Sequence, residues 1–295
     1  MKYHKEPTPM DVNNYPMSYN THDSTESDDK DLLDPILKKL HKGDLIDRLL
    51  GCAYGQALSD AYGLSTEFED RITVATMYPD NTQIIPFQDY ILTAHSSRWT
   101  RGDWTDDTDQ WILILETLTY PNGDDIMFAK KLRHWIYQCF SELGDCRGMG
   151  LGANVSQVTS SYNFLSDPHE ASRTTWERSY RQAAPNGAVI RCSASALVHF
   201  RDIEKVKSTA ISMCKVTHFD PRCVASCLAV CLASTYLLQA STEDDIEILI
   251  DRVQKETIYI LDDQLTSEHK EEFLWYTHKD RTLEELNLDE PRSIG

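Results

Sequence analysis

Apolar residues recur at helical spacing along much of this chain, and this pattern limits the possible folds more than any other feature. The clearest case begins at Asp44, where apolar and small residues follow a 3.6-residue period. They are Leu45, Ile46, Leu49, Leu50, Ala53, Tyr54, Ala57, Leu58 and Ala61. Gly63 follows at a place typical of a helix C-terminus. The sequence therefore predicts a long amphipathic helix that starts near residue 44.

Several further segments carry helical patterns. We predict helices from Thr105 onward and over 125–143, 188–200 and 243–261, and a buried helix over 224–238 that is shorter than the roughly 20 residues needed to span a bilayer. Residues 70–100 lack clear periodicity. Strand-like alternation is scarce, so the sequence predicts an all-α fold.

Composition limits the partners and the compartment. The net charge of -18 argues against a nucleic-acid backbone as the partner, because phosphate binding requires clustered Lys and Arg. No apolar segment follows Met1, and the Cys residues form no CxxC pair. We therefore expect a cytoplasmic, intracellular protein without membrane contact. The sequence does not indicate an oligomeric state.

The chain divides into a tail and one domain. Residues 1–40 are acidic and polar with little apolar surface, which predicts a disordered tail. Residues 41–295 are expected to form a single helical domain.

The segment Gly102-Asp103-Trp104-Thr105-Asp106-Asp107-Thr108-Asp109 concentrates carboxylates and hydroxyls directly before an apolar helix. Either Asp103 or Thr105 could cap that helix. Because neighbouring carboxylates repel one another, a hard cation such as Mg²⁺ or Mn²⁺ would stabilise the segment through Thr105, Asp106 and Asp107. An ordinary acidic helix start on an acidic protein is the alternative.

Three later breaks also suggest ligand contacts. Gly148, Gly150 and Gly152 alternate before a possible helix, so that backbone N–H groups could approach an anion. A flexible turn between helices is the simpler explanation of these glycines and is preferred on this segment alone. Asn186-Gly187 and Thr217-His218 break the chain before apolar helical segments, and a plain turn and a helix cap are sufficient explanations there.

Taken together, these landmarks resemble the ADP-ribosylglycohydrolase family, which includes the dinitrogenase-reductase-activating glycohydrolases. The resemblance runs from about Leu45 to Gln239. It rests on four segments in order: Gly55 to Gly63 followed by Glu67-Phe68, then Thr105 to Thr108, then Asn186-Gly187-Ala188 with Arg191, and then Thr217-His218.

The resemblance implies an all-α fold around a two-magnesium site and hydrolysis of the N- or O-glycosidic bond that joins ADP-ribose to a protein side chain or a small molecule. It implies that Thr105, Asp106 and Asp107 are metal ligands. Glu67 would cover or coordinate the site, and Glu67, Asp106 or Asp107 would handle the proton. The three glycines would bind the pyrophosphate, and Asn186, Gly187 and His218 would line the ribose pocket.

The sequence departs from the family at its other end. The family closes its metal site with a second Asp-x-Asp-Thr motif on a late helix, and no such motif follows Asp220. Asp244-Asp245 and Asp262-Asp263 lack its spacing. We therefore expect an incomplete domain that misses its last helices and half of its metal ligands, with apolar core surface exposed.

Two other readings stay open at this point. The chain could be a non-catalytic relative with a structural or binding role, as in the crystallin-like branch of the family. It could also be a terpenoid synthase, but that class requires Asp-Asp-x-x-Asp, and Gln110 stands where the third acid should be.

Overall fold

The computed structural model describes residues 42–79, 85–143, 148–241, 244–282 and 284–286. Over these ranges the chain forms α-helices joined by loops and 3₁₀ turns, without a β-strand. The helices are α1 (Lys42–Gly63), α2 (Arg71–Met77), α3 (Asp106–Thr119), α4 (Asp125–Gln138), α5 (Ala153–Thr159), α6 (Pro168–Arg178), α7 (Ser193–His199), α8 (Ile203–Lys215), α9 (Pro221–Gln239), α10 (Ile246–Ile260) and α11 (Ser267–Tyr276). The predicted all-α class is confirmed.

Helix α1 follows the predicted period and ends at Gly63 as expected. It packs against α3 and α9. The opposite face carries Ile46, Leu50, Tyr54 and Leu58, which are 46%, 48%, 65% and 56% exposed. These four residues, spaced four apart, form an apolar ridge on α1 that nothing in the described part of the chain covers.

Helix α9 is the centre of the larger core. It packs against α7, α8 and α10, and Cys223, Cys227 and Cys231 lie buried along it. The prediction that these cysteines are small core residues is therefore confirmed. By length and composition α9 could cross a membrane, but it is mostly buried inside the protein, as the core helix of a globular fold would be.

A second core lies between α3, α4 and the α5–α6 segment. It contains Phe128, Leu132 and Trp135 of α4, with Val158 and Phe164. These aromatic and aliphatic side chains pack together with Trp111, Leu113 and Ile114 of α3, and this packing holds the helix that carries the acidic N-terminus.

The structure differs from the predicted boundaries in several places. Helix α4 ends at Gln138 rather than 143, because Cys139 adopts a positive φ of 50° that stops the helix. The predicted segment 188–200 is a 3₁₀ turn over Asn186–Arg191 followed by α7. The predicted segment 243–261 begins three residues late, at Ile246, with Asp245 as its cap.

The sequence does not predict some of the helices, and some predictions fall on residues that the structure does not describe. Helix α2 lies in the stretch without clear periodicity, and α6, α8 and α11 had no counterpart in the prediction. The proposed tail over 1–40, the first part of the glycine segment at 144–147 and the end of the chain from 287 lie outside the described residues.

Candidate functional site

A single carboxylate of α1 organises the start of α3. Asp60 Oδ2 accepts hydrogen bonds from the backbone N–H of Thr105 at 3.0 Å and of Thr108 at 3.1 Å, and from the Thr108 hydroxyl at 2.7 Å. Asp60 Oδ1 accepts the Thr105 hydroxyl at 2.9 Å. The Thr105 hydroxyl in turn accepts the N–H of Asp107. Thr105 is therefore the N-cap of α3, one of the two predicted candidates, and one lone pair of its hydroxyl remains for a further partner.

Asp106 and Asp107 lie at this helix start, where Asp106 is buried and Asp107 is half-buried. Burial first, and then the carboxylates of Asp60, Glu67 and Asp109, raise the pKa of Asp106 to about 7. Burial and the neighbouring Asp106 raise the pKa of Asp107 to about 8. The surroundings therefore do not fully stabilise the negative charge of these two carboxylates. Carboxylates with perturbed pKa values of this kind are common at functional sites.

Glu67 lies in the loop after α1, near enough to raise the pKa of both aspartates. Its Oε2 contacts His95 Nε2 at 2.8 Å. The next residue, Phe68, has a positive φ of 63°, is exposed and packs edge-on against the His95 ring at 4.7 Å. Left-handed backbone at a bulky residue is unfavourable, so the loop is held in this shape by its contacts. The structure brings Glu67 to the acidic cluster, and its role there stays a prediction.

Two tryptophan side chains donate hydrogen bonds to the carboxylate of Asp109. Its Oδ1 accepts Trp104 Nε1 at 2.8 Å, and its Oδ2 accepts Trp135 Nε1 at 3.0 Å. A Cβ at Gly148 would lie 2.9 Å from the Trp135 ring. Gly148 thereby allows the glycine segment to pass close over this pair.

The remaining glycines behave differently from one another. Gly150 has a φ of +90°, and a Cβ there would lie only 2.2 Å from Asp106 Oδ1, so this position requires glycine. Gly152 precedes α5 and has open space around it. The structure therefore brings Gly148 and Gly150 to the acidic cluster, while Gly152 has no such contact.

Gly187 and His218 meet each other but lie apart from the carboxylates. A Cβ at Gly187 would lie 3.2 Å from His218 Nε2. Asn186 is exposed. His218 is buried next to Thr217, and burial together with the charge of Arg191 lowers its pKa to about 3.

A buried arginine connects the two halves of the site. Arg191 donates hydrogen bonds to Gln110 Oε1 and to Thr217 Oγ1. Gln110 Nε2 donates to Asp106 Oδ2 at 2.6 Å, and Thr217 Oγ1 lies 2.8 Å from His218 Nδ1. The predicted metal motif and the predicted His motif therefore belong to one hydrogen-bonded arrangement.

The donor set suits a hard cation only in part. Asp106 and Asp107 supply carboxylate oxygens, and their raised pKa values show that a positive charge would relieve repulsion. Within the described residues, no group of three or more His, Cys, Asp or Glu side chains is arranged to hold a metal ion. Mg²⁺ commonly binds through one or two carboxylates and keeps several waters, so the residues present fit one such ion.

Two acidic residues from the late segments that were compared with the second metal motif of the family have other partners. Asp245 caps α10 by accepting the N–H of Glu247. Asp262 pairs with Lys270 at 2.6 Å on the surface. Neither acts as part of the cluster at α3.

Three site residues were not assigned a role from the sequence. Asp60 lies in the apolar pattern of α1, His95 lies in the stretch without clear periodicity, and Gln110 lies in α3. Each of them contacts a predicted site residue. The partners of Asp60 lie 45 and 48 residues away, and no local pattern indicates them.

The comparisons with known proteins point to one family. The model of the ADP-ribosylglycohydrolase family matches residues 41–290. An uncharacterized protein of Archaeoglobus fulgidus is 26% identical over 213 residues, which cover 70% of this chain and 62% of that protein. The ADP-ribosylarginine hydrolase Tri1 of Serratia proteamaculans is 24% identical over 206 residues, or 69% of this chain and 50% of the relative.

The matched region thus spans about half to two thirds of the length of these curated relatives. The expectation that late helices are missing stays a prediction. The family match leaves no support for the terpenoid-synthase reading, whose required third acid is Gln110 here. With its helical fold and its family model covering most of the sequence, the chain belongs to the ADP-ribosylglycohydrolase family.

Proposed function

We propose that this protein binds the ADP-ribosyl group at the start of α3 and hydrolyses its glycosidic bond to a side chain or a small molecule in the presence of Mg²⁺, or of Mn²⁺ in its place. The observation that carries the proposal is the close grouping of Asp106, Asp107 and Glu67, whose burial and mutual repulsion raise the pKa of both aspartates, at a helix start that Asp60 holds through Thr105 and Thr108. Membership of the family supports the class of substrate.

The proposed ligands of a cation are Asp106, Asp107 and the free lone pair of Thr105. When bound, such an ion orients the ribose hydroxyls and a water molecule. Asp106 is already oriented for this role, because Gln110 holds its Oδ2 and leaves Oδ1 facing Gly150.

The chain's own carboxylates would stabilise the oxocarbenium-like transition state that develops as the glycosidic bond breaks. One of Glu67, Asp106 and Asp107 would take the proton of the attacking water. Glu67 is suited to this role because its Oε2 is already paired with His95 Nε2 and its loop lies at the surface of the site. Phe68, exposed at the same loop, would help to exclude water.

The glycine segment is the proposed site for the pyrophosphate, with Gly148 and Gly150 nearest the carboxylates. Gly187, Asn186 and His218 are the proposed contacts to the ribose. The linkage to arginine is the first to test, because the relative from Serratia is named for the hydrolysis of ADP-ribosylarginine. The cytoplasm is the proposed place of action.

Thermal unfolding and hydrolysis together test the proposal. The wild-type chain would be melted in EDTA, in Mg²⁺, and in Mg²⁺ with ADP-ribose, and release of ADP-ribose from ADP-ribosylated arginine would be followed by mass spectrometry. A ligand present at 100 times its Kd should stabilise the fold by about 2.7 kcal/mol. Asp106→Asn and Asp107→Asn should lose the Mg²⁺-dependent shift and the turnover, while Asp251→Asn, an exposed acid on α10, should keep both.

A second function, binding of ADP-ribose without hydrolysis, is favoured by the absence of a three-acid metal arrangement within the described residues. A thermal shift with ADP-ribose but no release of product would support it. If neither ADP-ribose nor Mg²⁺ changes the unfolding temperature and no linkage is cleaved, both functions are wrong.

A further inference from the structure

A continuous line of buried polar side chains runs from the acidic cluster to His218. Its members are Asp106, Gln110, Arg191, Thr217 and His218, and all are almost fully buried. The links are the hydrogen bonds from Gln110 to Asp106, from Arg191 to Gln110 and to Thr217, and between Thr217 and His218. The two ends lie on opposite sides of Arg191.

The chemistry of the donors fixes the direction of each hydrogen bond. A guanidinium only donates, so Gln110 must present its carbonyl to Arg191 and its NH₂ to Asp106. The Thr217 hydroxyl accepts from Arg191, so its single hydrogen is available for His218 Nδ1. If Nδ1 donated instead, the Thr217 hydrogen would have no acceptor among the described residues.

His218 is then a neutral imidazole with its proton on Nε2. Burial and the charge of Arg191 oppose a second proton on the ring, which agrees with its pKa of about 3. The titratable groups nearest to it are Arg191 and, through the line, Asp106. The tautomer therefore follows from Thr217 and not from solvent.

The Nε2 atom of His218 has no hydrogen-bond partner among the described residues, although it is buried. It faces Gly187, where a Cβ would come within 3.2 Å of Nε2 and 3.3 Å of Cε1. A buried N–H without a partner is unfavourable and is rare in native proteins. Because residue 187 is a glycine, this donor is not covered by a side chain.

We propose that Gln110, Arg191 and Thr217 are positioning residues that fix the orientation of Asp106 and the tautomer of His218, so that the ribose contact already proposed for His218 is a donation from Nε2–H. The second half rests on the proposed function, since it requires the bound ADP-ribosyl group. The first half concerns the protein alone. Through Arg191, a change at either end alters the geometry of the other.

Thr217 allows a direct test, because Thr217→Val replaces the hydroxyl with a methyl group and Thr217→Ser keeps the hydroxyl. The ring nitrogens of His218 would be observed by ¹⁵N NMR in the full chain at neutral pH, with His218→Gln to assign the signals. Wild type and Thr217→Ser should show protonated Nε2 and bare Nδ1. Thr217→Val should show a mixture of tautomers and should bind ADP-ribose more weakly by calorimetry, in proportion to the lost fraction of the Nε2-protonated form, about twofold for an equal mixture.

A matched control is Thr235→Val, which removes the hydroxyl of another buried threonine that bonds only within α9. It should change neither the tautomer nor the affinity. Thr217→Ala takes the place of the valine variant if that protein does not fold, with the same expected outcome.

The outcomes separate the two halves of the proposal. A wild-type His218 protonated on Nδ1, or a Thr217→Val protein with an unchanged tautomer, overturns the positioning role whatever the ligand. Failure of wild type to bind ADP-ribose overturns the proposed function and the donation to the ligand, while the NMR result still decides the role of Thr217. Unchanged affinity in Thr217→Val, with the tautomer altered, overturns the donation alone.

Discussion

At the scale of single residues, the site is defined by close approaches that leave no room for substitution. Gly150 is the clearest case, because it has a positive φ and its missing Cβ would overlap Asp106 Oδ1. Gly152, two residues later, has neither restriction. The two glycines look equivalent in the sequence, and only the structure separates them.

Gly150→Ser should destabilise the protein, because it forces both an unfavourable backbone conformation and a displaced Asp106. We expect a loss of about 2–4 kcal/mol in the free energy of unfolding, measured by urea titration. Gly152→Ser should change it by less than about 0.5 kcal/mol, because serine is a good N-cap and the space is open. Equal effects of the two substitutions would show that Gly150 does not contact Asp106 in this way.

His218 predicts a pH dependence of stability. Its folded pKa of about 3 lies below the unfolded value of about 6.5, so the unfolded chain binds the proton first as pH falls. This residue therefore destabilises the fold progressively from pH 6.5 towards pH 3, by about 2 kcal/mol at pH 5.

The comparison that isolates this effect is wild type against His218→Gln. The raised pKa values of Asp106 and Asp107 act in the opposite direction but are present in both proteins. Denaturant unfolding at pH 7.5 and pH 5 should show a larger loss for wild type. A loss of the same size in His218→Gln would mean that this imidazole is not buried in its neutral form.

At the scale of the helices, the important junction is between α1 and α3. One carboxylate, Asp60, accepts four hydrogen bonds from Thr105 and Thr108 and so acts as the anion at the N-terminus of α3. The geometry of Asp106 and Asp107 therefore depends on a helix that begins far earlier in the chain.

Asp60→Asn should weaken this junction, because an amide has one acceptor oxygen where the carboxylate has two and carries no charge. We expect a loss of about 1–3 kcal/mol in unfolding free energy and a weaker response to Mg²⁺. Asp47→Asn, an exposed acid on the same helix, should have little effect. If both variants unfold at the same denaturant concentration, Asp60 does not hold α3.

The helices that could be predicted are those whose periodicity is long. The pattern of α1 and the apolar run of α9 were sufficient to place both, and Thr105 was recognised as a possible cap. Helix α2 has only seven residues, too few for a helical period to be recognised, and none of them is buried. Helix α4 stopped early at Cys139 because of a backbone conformation that its residue type does not indicate.

In the candidate site, too, local patterns could be predicted from the sequence and long-range contacts could not. Chemically unusual segments, such as Thr105 to Asp107 and the alternating glycines, were identified from the sequence. The contacts of Asp60, Gln110 and Arg191 depend on tertiary packing over long sequence separations, and the sequence of one chain does not contain them explicitly. Asn186, expected to line the ribose pocket with Gly187 and His218, is exposed, and its role stays a prediction.

At the scale of the whole molecule, the apolar ridge on α1 is a row of exposed hydrophobic side chains on a chain that carries a net charge of -18. Contiguous apolar surface of this kind promotes association and the binding of hydrophobic dyes. The residues of the ridge point away from the helices that α1 packs against.

Leu50→Lys together with Leu58→Lys should reduce both properties without loss of stability. We expect lower fluorescence of an added hydrophobic dye and less self-association by light scattering at micromolar protein concentration. Ile72→Lys, an isolated exposed residue on α2 that is 80% exposed, is the matched control and should change neither. If the double substitution unfolds the protein, the ridge is buried in solution.

The bonds to Asp60 also make the joining of α1 and α3 directly observable. The amides of Thr105 and Thr108 are closed by a side chain from another helix, so they can exchange with deuterium from solvent only when that carboxylate withdraws. Their rate of deuterium uptake therefore reports how often the two helices part, and it does so in the protein alone, before any nucleotide or ion is added.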